Sequence, residues 1–513
     1  MQLQSLLSAL EELPVQQWPA SGAFNPALEI TSLAYDSRKV TPGALFIAVP
    51  GAHTDGRAYL AEAAQRGALA ALGPTLEGIL PPGQPAPLPY IVVRNVPGAL
   101  ADLACAFYAY PAQHLCTIGI TGTDGKTTTS NLIHTILRAA GKHAGLMTTA
   151  NFKLDGQEWE NTTRQSTLEA LEIQQLLRRM ADEGITHAVI EATSHGLELQ
   201  RVRGCAFDVG VVTNITHEHL DFHKTLENYR RAKARLFEML DPARDKGLNG
   251  VNGRPTAILN RDDSSYKILL PYCRVPIIDY GIDPSAAVRA VDVRLDAERT
   301  RFRAILPDGE VEIETRLVGQ FNVSNCLAAI AAAYSQGVAP AIIGEALATV
   351  AGVAGRMERI DEGQPFTVIV DYAHTPDSLA KVLATLRPLT RGKLMVVFGS
   401  AGERDLLKRP IMGQIAAQMA DFFVITDEDP REENREKILR EIASGSEAAG
   451  KREWRDFLCI ADRTQAIATA LARARAGDTI LLAGKGHEQS IITGREKIPW
   501  DDRRVAREQL RSL

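Results

Sequence analysis

Short runs of apolar, often β-branched residues recur along the chain, and many of them end in a polar segment. In the N-terminal part the runs cover 44–49 and 90–93, with an Ala-rich helical segment near 58–66 between them. Further along they cover 117–121, 185–190, 207–212, 256–259, 366–370, 394–398, 422–425 and 479–482. Runs of this length, bounded by turn residues, are typical of strands buried in a parallel sheet.

This pattern predicts an α/β protein of three domains, since 513 residues are too many for one core. Residues 1–112 form the first α/β domain. Residues 113–350 form a doubly wound domain with a P-loop-type sheet, and residues 351–513 form a Rossmann-like domain without a dinucleotide glycine fingerprint. Ligands of open parallel sheets bind beyond the carboxyl ends of the strands. We therefore expect a cleft between the second and third domains, where the polar segments meet.

A glycine-rich segment follows the run at 117–121. It reads Gly-Thr-Asp-Gly-Lys-Thr-Thr over 122–128, and apolar residues with helical spacing follow at 132–137. Strand, glycine loop and helix in this order are the layout of a phosphate-binding loop, whose backbone N–H groups surround phosphate oxygens. In such a loop Lys126 reaches the terminal phosphates and the Thr127 hydroxyl binds Mg²⁺.

Composition and charge exclude several classes of protein. A net charge of −5 argues against nucleic-acid binding, although a few arginines suffice for a small anionic ligand. The six cysteines form no close pair, which argues against a cysteine-based zinc ribbon and for unpaired thiols in a reducing compartment. The N-terminus lacks the basic region of a signal peptide, and the most apolar stretch, 327–355, is too interrupted to span a bilayer. We expect a cytoplasmic protein.

Two candidate metal ligands follow predicted strands. Glu191 ends the run that begins at 185, where a buried carboxylate is costly unless it is paired or metal-bound. His219 lies in the polar segment 217–223, which follows the run at 207–212. By contrast, Lys233 belongs to the basic segment 229–237, whose pattern alone indicates a solvent-exposed helix face.

The sequence motifs, taken together, resemble those of the Mur ligase family, in family order and over nearly the whole chain. They include Gly-Ile-Thr-Gly-Thr-Asp-Gly-Lys-Thr-Thr (119–128), Glu-Ala-Thr-Ser-His-Gly-Leu (191–197), Thr-Asn-Ile-Thr-His-Glu-His-Leu-Asp (213–221), Gly-Arg-Met-Glu-Arg (355–359) and Asp-Tyr-Ala-His-Thr-Pro (371–376). Asp36-Ser37-Arg38 and Gly484-Lys485-Gly486-His487-Glu488 narrow the resemblance to the members that add the third, usually diamino, residue to UDP-N-acetylmuramoyl-L-alanyl-D-glutamate.

The resemblance implies roles for residues in each domain. It implies catalytic roles for Lys126, Glu191, His219 and Lys233, with Lys233 carbamylated and Thr127, Glu191, His219 and Lys233 around two Mg²⁺ ions. It implies ATP contacts from Gly122, Thr123, Asp124, Gly125, Lys126, Thr127, Thr128, Asn322, Arg356 and Asp371. The UDP-muramoyl dipeptide is expected at Ser37, Ser166, Thr167, Thr193 and Arg201, and the amino acid at Arg404, Glu428, Asp429, Arg431, Gly484 and Glu488.

Departures from the family pattern bear on the third residue. Asp124 replaces the more usual Asn, and Glu428-Asp429-Pro430-Arg431 stands where diaminopimelate-adding members carry Asp-Asn-Pro-Arg. Arg431 retains a bidentate partner for a second carboxylate, as diaminopimelate presents. Asp429 instead suits a lone terminal ammonium, as in lysine or ornithine. We favour diaminopimelate and leave the other two open.

The implied reaction is ATP-dependent and ADP-forming. The D-glutamate side-chain carboxylate attacks the γ-phosphorus, and the amine then attacks the resulting acyl phosphate. Two alternatives stay open: another Mur-type ligase such as folylpolyglutamate synthase, and a non-catalytic nucleotide-binding partner of an amidating complex. We expect small-molecule substrates and a monomer, although the sequence does not reveal the oligomeric state.

Overall fold

The computed structural model describes residues 1–18, 25–51, 54–81, 84–154, 156–161, 163, 165–216, 220–248, 252–296 and 299–513. Three large sheets follow one another along the chain, each flanked by helices. The predicted α/β class, with a doubly wound central sheet and a Rossmann-like C-terminal sheet, is confirmed. The domain boundaries at 112 and 350 stay predictions.

The N-terminal sheet has five strands in the order β1-β5-β4-β3-β2. Strands β2 to β5 are parallel, and β1 is antiparallel to β5. The strands are β1 (Gln16–Trp18), β2 (Ser32–Ala34), β3 (Ala44–Ile47), β4 (Ala70–Gly73) and β5 (Tyr90–Val92), and the helices are α1 (Leu3–Leu7), α2 (Leu60–Gln65) and α3 (Val96–Phe107). The strands predicted at 44–49 and 90–93 and the helix near 58–66 therefore exist, each slightly shorter than predicted.

The central sheet has eleven strands in the order β16-β15-β14-β13-β12-β11-β6-β10-β7-β8-β9. Its strands are β6 (Cys116–Thr121), β7 (Ala144–Met147), β8 (Asn151–Leu154), β9 (Gln157–Glu160), β10 (His187–Glu191), β11 (Val209–Val212), β12 (Thr256–Asn260), β13 (Ile277–Gly281), β14 (Val288–Leu295), β15 (Thr300–Leu306) and β16 (Gly309–Thr315). Its helices are α4 (Lys126–Ala139), α5 (Ala170–Asp182), α6 (Ser194–Glu198), α7 (Leu220–His223), α8 (Leu226–Glu238), α9 (Tyr266–Leu269), α10 (Gln320–Ser335) and α11 (Pro340–Thr349).

The seven middle strands of this sheet are parallel, and antiparallel hairpins extend it at both edges. Side chains of β10 alternate between two cores: Val189 packs with α4, α10 and α11, whereas Ala188 and Ile190 pack with α5 and α8. Both faces are thus covered, which explains why the middle strands read as continuous apolar runs. Strands β6, β10 and β11 are neighbours, so the polar segments that follow them lie at one edge.

The C-terminal sheet has six strands in the order β17-β18-β22-β19-β20-β21, of which only β17 is antiparallel to its neighbour. The strands are β17 (Glu358–Ile360), β18 (Thr367–Asp371), β19 (Leu394–Phe398), β20 (Phe422–Ile425), β21 (Phe457–Cys459) and β22 (Thr479–Ala483), and the hairpin β23 (Ser490–Thr493) and β24 (Glu496–Pro499) follows. The helices are α12 (Pro376–Leu386), α13 (Lys408–Met419), α14 (Arg435–Ala448), α15 (Arg463–Arg473) and α16 (Asp502–Leu510). Helices α12 to α14 cover one face, and α15 and α16 the other.

Two sequence-level expectations about the whole chain can be checked. All six cysteines are free thiols, four of them buried and Cys273 and Cys459 partly exposed, so the prediction of unpaired thiols is confirmed. Over the described part of the chain, no helix combines the length and the apolar character needed to cross a membrane.

Candidate active site

The predicted phosphate loop lies between β6 and α4, at the edge where β6, β10 and β11 end. Gly122 and Gly125 have φ values of +150° and +85°. A Cβ at Gly122 would overlap Thr213 Oγ1, and one at Gly125 would overlap Asn325 Oδ1. Both turns of the loop therefore require glycine. The common phosphate-loop motif Gly-x-x-x-x-Gly-Lys-Ser/Thr has its first glycine at the position of Ile120. Here Ile120 is a buried residue of β6.

Asn214, which follows β11, holds the loop from below. Its Oδ1 accepts the N–H of Asp124 at 3.0 Å, and its Nδ2 donates to the Asp124 carbonyl at 3.0 Å. Thr213 Oγ1 donates to the same carbonyl at 2.6 Å. Both residues belong to the motif at 213–221, from which no role for them was predicted. The contacts explain why these two residue types follow β11: they fix the backbone of the loop.

The predicted catalytic residues Lys126, Glu191 and Lys233 meet around this loop. Thr127 Oγ1 donates to Glu191 Oε2 at 2.9 Å, and the N–H of Thr149 donates to the same oxygen at 3.0 Å. Lys126 Nζ lies 2.7 Å from the carbonyl oxygen of Thr123. Lys233, on α8, is 1% exposed, and its Nζ donates to the Gly122 carbonyl at 2.5 Å.

The position of Lys233 corrects one interpretation of the sequence. The basic segment 229–237 by itself indicated a solvated face, yet Lys233 is buried beneath the loop and its ammonium lies 4.5 Å from the centre of the Tyr229 ring. The helix is amphipathic, with Arg230, Arg231 and Arg235 at least partly exposed and Lys233 on the inner face. The interpretation of Lys233 as part of a solvated face is therefore wrong, and its catalytic role stays a prediction.

Thr127 and Glu191 fit a magnesium site, because a hydroxyl and a carboxylate within 2.9 Å of each other are oxygen donors of the kind that Mg²⁺ prefers. His219 lies outside the described residues. Within the described ranges no group of three or more His, Cys, Asp and Glu side chains could hold a metal ion. The resemblance adds His219 and a carbamylated Lys233 to this pair, and both assignments stay predictions.

Three residues predicted to contact the UDP-muramoyl dipeptide form a second cluster beside Glu191. Thr167 Oγ1 lies 2.9 Å from Thr193 Oγ1 and donates to the Glu191 carbonyl, and Arg201 donates to the Thr167 carbonyl at 3.1 Å. Ser166 and Thr167 line a small pocket that reaches Glu191. Ser37 lies apart from this cluster, in a short 3-10 helix between β2 and β3, where its hydroxyl donates to Glu62.

The remaining predicted ATP residues lie on both sides of the junction between the central and C-terminal sheets. Asn322, on α10, donates to the Val318 carbonyl and accepts from Asn325. Asp371, at the end of β18, accepts the N–H groups of Met357 and Ala373. Thr128 is buried in the first turn of α4.

Arg356 lies beside Tyr372, which in turn contacts His487 of the Gly-Lys-Gly-His-Glu segment. Burial raises the pKa of Asp371 above its usual value, and the charge of Arg356 opposes that shift. The guanidinium of Arg356 lies 4.5 Å from the centre of the Tyr372 ring, which also contacts His487. Burial, with the nearby charge of Arg356, lowers the pKa of His487 to about 3, so this histidine is neutral.

The predicted amino-acid residues gather beyond β20 and β22. Asp429 Oδ1 accepts from Lys485 Nζ at 3.0 Å and from the N–H of Ile492, and Lys485 also donates to Glu488 at 2.6 Å. Lys485 is fully buried, and its single positive charge is shared between the carboxylates of Asp429 and Glu488. Asp429 is therefore paired inside the protein and is not the open anion that would suit a substrate ammonium.

Glu428 and Arg431 each have a buried side-chain atom without a hydrogen-bond partner among the described residues: Oε2 of Glu428 and Nε of Arg431. Glu428 is buried beside the backbone of Gly484, its Oε2 has no hydrogen-bond partner among the described residues, and burial raises its pKa. Arg431 has a left-handed backbone with φ +55°, held by hydrogen bonds to Ile492 and Gly494. Arg404 is exposed on the segment between β19 and α13.

The chain is similar in sequence to Mur ligase domains along most of its length. Three family models match the chain: "Mur ligase family, catalytic domain" over residues 29–108, "Mur ligase middle domain" over 120–333, and "Mur ligase, glutamate ligase domain" over 355–486. The second of these contains the phosphate loop, Glu191 and Lys233. The third contains Arg356, Asp371 and Arg431.

Full-length relatives and a solved structure are similar as well. A UDP-N-acetylmuramyl-tripeptide synthetase of Roseiflexus sp. (strain RS-1) is 50% identical over 94% of this chain and 95% of its own length. A UDP-N-acetylmuramoyl-L-alanyl-D-glutamate--2,6-diaminopimelate ligase of Geobacillus thermodenitrificans (strain NG80-2) is 42% identical over 99% of both chains. A solved structure of a ligase with the latter name has a TM-score of 0.66 at 29% identity, and covers 100% of this chain and 99% of the other.

Proposed function

The chain belongs to the Mur ligase family, and on that premise we propose that it is an ATP-dependent ligase that adds a diamino acid to UDP-N-acetylmuramoyl-L-alanyl-D-glutamate. The observation that carries the proposal is the cluster of Thr127, Glu191 and Lys233 around a glycine loop of phosphate-binding form. The names of the full-length relatives support the choice of substrate.

The proposed reaction has two steps. The D-glutamate side-chain carboxylate attacks the γ-phosphorus of ATP, and the bond from that phosphorus to the oxygen that bridges to the β-phosphate breaks. ADP is the leaving group, and the product is an acyl phosphate. The amine of the incoming amino acid then attacks the acyl carbon, loses a proton and expels phosphate. Water must be excluded while the acyl phosphate exists, which a cleft between two sheets allows.

The residues around the loop have roles that follow from their positions. Lys126 opens α4, where the N–H groups of the loop and the first turn favour anions, and its ammonium binds the terminal phosphates. Thr127 and Glu191, together with His219 and a carbamylated Lys233, would hold Mg²⁺, which when bound supplies Lewis-acid charge stabilisation. Asn322, Arg356 and Asp371 contact the nucleotide from the neighbouring elements. Thr167, Thr193 and Arg201 position the dipeptide beside Glu191.

We favour diaminopimelate as the third residue. Arg431 offers a guanidinium to a second carboxylate, and the unpaired oxygen of Glu428 offers a partner for an ammonium. Because Asp429 already accepts hydrogen bonds from Lys485 and from the N–H of Ile492, it is not an open partner for the terminal ammonium of lysine or ornithine.

The decisive experiment measures ADP release with the UDP-muramoyl dipeptide and diaminopimelate, lysine or ornithine at equal concentrations. We expect turnover only when the dipeptide is present, and the highest kcat/KM with diaminopimelate. Release that needs a folate instead of the UDP-sugar would indicate a folylpolyglutamate synthase, and no release with any acceptor would favour a non-catalytic partner.

A matched variant tests the role of Arg431. Arg431→Met removes the guanidinium, and we expect it to raise the KM for diaminopimelate by at least about tenfold, as loss of a charged hydrogen bond does. Lysine, which lacks the second carboxylate, serves as the control substrate. An equal change in KM for both amino acids would refute the assignment.

A further inference from the structure

An ion pair joins the phosphate loop to the C-terminal part of the chain. Lys381 Nζ, on α12, lies 2.9 Å from Asp124 Oδ2 in the loop and 2.6 Å from Asp377 Oδ2 one helical turn away. Asp124 belongs to the central sheet and Lys381 to the C-terminal one, and 257 positions of sequence separate them. The contact therefore exists only while the two sheets are arranged as in this structure.

Asp124 places a negative charge on the loop that would bind phosphate. Its N–H and carbonyl are both fixed by Asn214, so its backbone cannot easily turn the carboxylate away. Partial burial would raise the pKa of Asp124, but Lys381, followed by Lys126 and Arg356, lowers it below its usual value. The side chain is thus ionised at neutral pH, and an anion here repels a triphosphate.

We propose that Lys381 is a positioning residue whose ammonium, which it shares with Asp377, offsets the charge of Asp124 and so lets the phosphate loop accept ATP. The inference rests on the proposed function, because it concerns the nucleotide of that reaction. The same contact links nucleotide affinity to domain movement. The affinity is high when Lys381 of α12 contacts Asp124 in the loop, and lower when it does not. By linkage, a bound nucleotide then favours the arrangement in which the two parts are in contact.

An ordinary surface salt bridge is the competing explanation. Both side chains are about 40% exposed, and exposed pairs contribute little to stability. A purely structural pair would affect the melting temperature slightly and leave nucleotide affinity unchanged. The proposed role makes the opposite prediction, since the charge of Lys381 matters only while Asp124 is charged and phosphate is present.

A double-mutant cycle separates the two explanations. Lys381→Met, Asp124→Asn and the double variant are compared with the unaltered chain by calorimetric titration with a non-hydrolysable ATP analogue and Mg²⁺. We expect Lys381→Met to weaken binding about tenfold, within the usual range of coupling between sites. In the Asp124→Asn background the same change should alter binding less than about twofold, and high salt should shrink the difference between the single variant and the unaltered chain.

Lys437→Met is the matched control, because Lys437 is an exposed lysine of α14 that pairs with Glu441 on the same helix and with Glu433 just before it. It should not change analogue binding. If Lys381→Met weakens analogue binding equally in both backgrounds, or in neither, the role proposed for Lys381 is overturned and the proposed function still stands. If none of the proteins binds the analogue, and the unaltered chain releases no ADP, the proposed function fails and this inference fails with it.

Discussion

A buried ion pair lies next to the residues that are predicted to bind the amino-acid substrate, and it leads to a prediction about stability. Arg463, which opens α15, and Asp502, which opens α16, are both fully buried, with Nε–Oδ1 and Nη2–Oδ2 distances of 2.8 and 2.6 Å. Arg463 also donates to the carbonyls of Asp427 and Ala483, and Trp500 Nε1 donates to Asp502. The pair therefore holds the ends of β20 and β22, from which Glu428 and Gly484 follow.

Asp502→Asn keeps the shape of the side chain and removes its charge. Because the guanidinium of Arg463 would remain buried without an anion, we expect the free energy of unfolding of the C-terminal sheet to fall by about 3 kcal/mol, at the low end for broken buried pairs. With an m-value of about 2 kcal/mol/M, the urea midpoint falls by about 1.5 M. Under the proposed function, the KM for the amino acid should rise more than the KM for ATP.

Urea unfolding followed by circular dichroism measures the midpoint, and hydrogen exchange over 422–428 and 479–484 locates the loss. Glu508→Gln is the control, because Glu508 lies on the same helix in an exposed pair with Arg504, whose loss costs roughly 0.5 kcal/mol or less. Arg463→Met combined with Asp502→Leu should recover part of the loss, since both charges are gone. A midpoint for Asp502→Asn equal to that of Glu508→Gln would refute the reasoning.

Three further predictions concern the loop and the core. Thr127→Val removes the hydroxyl that donates to Glu191, and ADP release should fall by about two orders of magnitude; Thr135→Val, on the outer part of the same helix, should leave it unchanged. Lys233→Ala should abolish ADP release, and short carboxylates should restore part of it, whereas full activity without them would contradict the metal-bridging role. Burial lowers the pKa of His187 to about 3, against about 6.5 when unfolded. The folded chain thus binds fewer protons than the unfolded chain, so the free energy of unfolding falls as pH drops below about 6.5. Between pH 7 and pH 5, His187→Gln should reduce this loss by about 2 kcal/mol, as measured by urea titration at each pH.

Local pattern was enough to predict the strands and the class of fold. The runs at 394–398 and 422–425 match β19 and β20 at both ends, because strands buried on both faces must be apolar throughout. The phosphate loop was equally predictable, since Gly122 and Gly125 are needed wherever the backbone turns in this way. The position of Glu191 at the end of a strand already made it a candidate ligand, whereas only the family motifs made Lys233 one.

Tertiary structure decided which charges are available to a ligand. The sequence gives no sign that Lys485 pairs with Asp429 or that Lys381 reaches Asp124, because each pair joins segments from separate strands or separate sheets. Lys233 shows the same limit, since its burial depends on the rotation of α8 against the loop and not on the basic residues around it. Composition and spacing determine local conformation, whereas the net charge at a site depends on which distant side chains the packed sheets bring within a few ångströms.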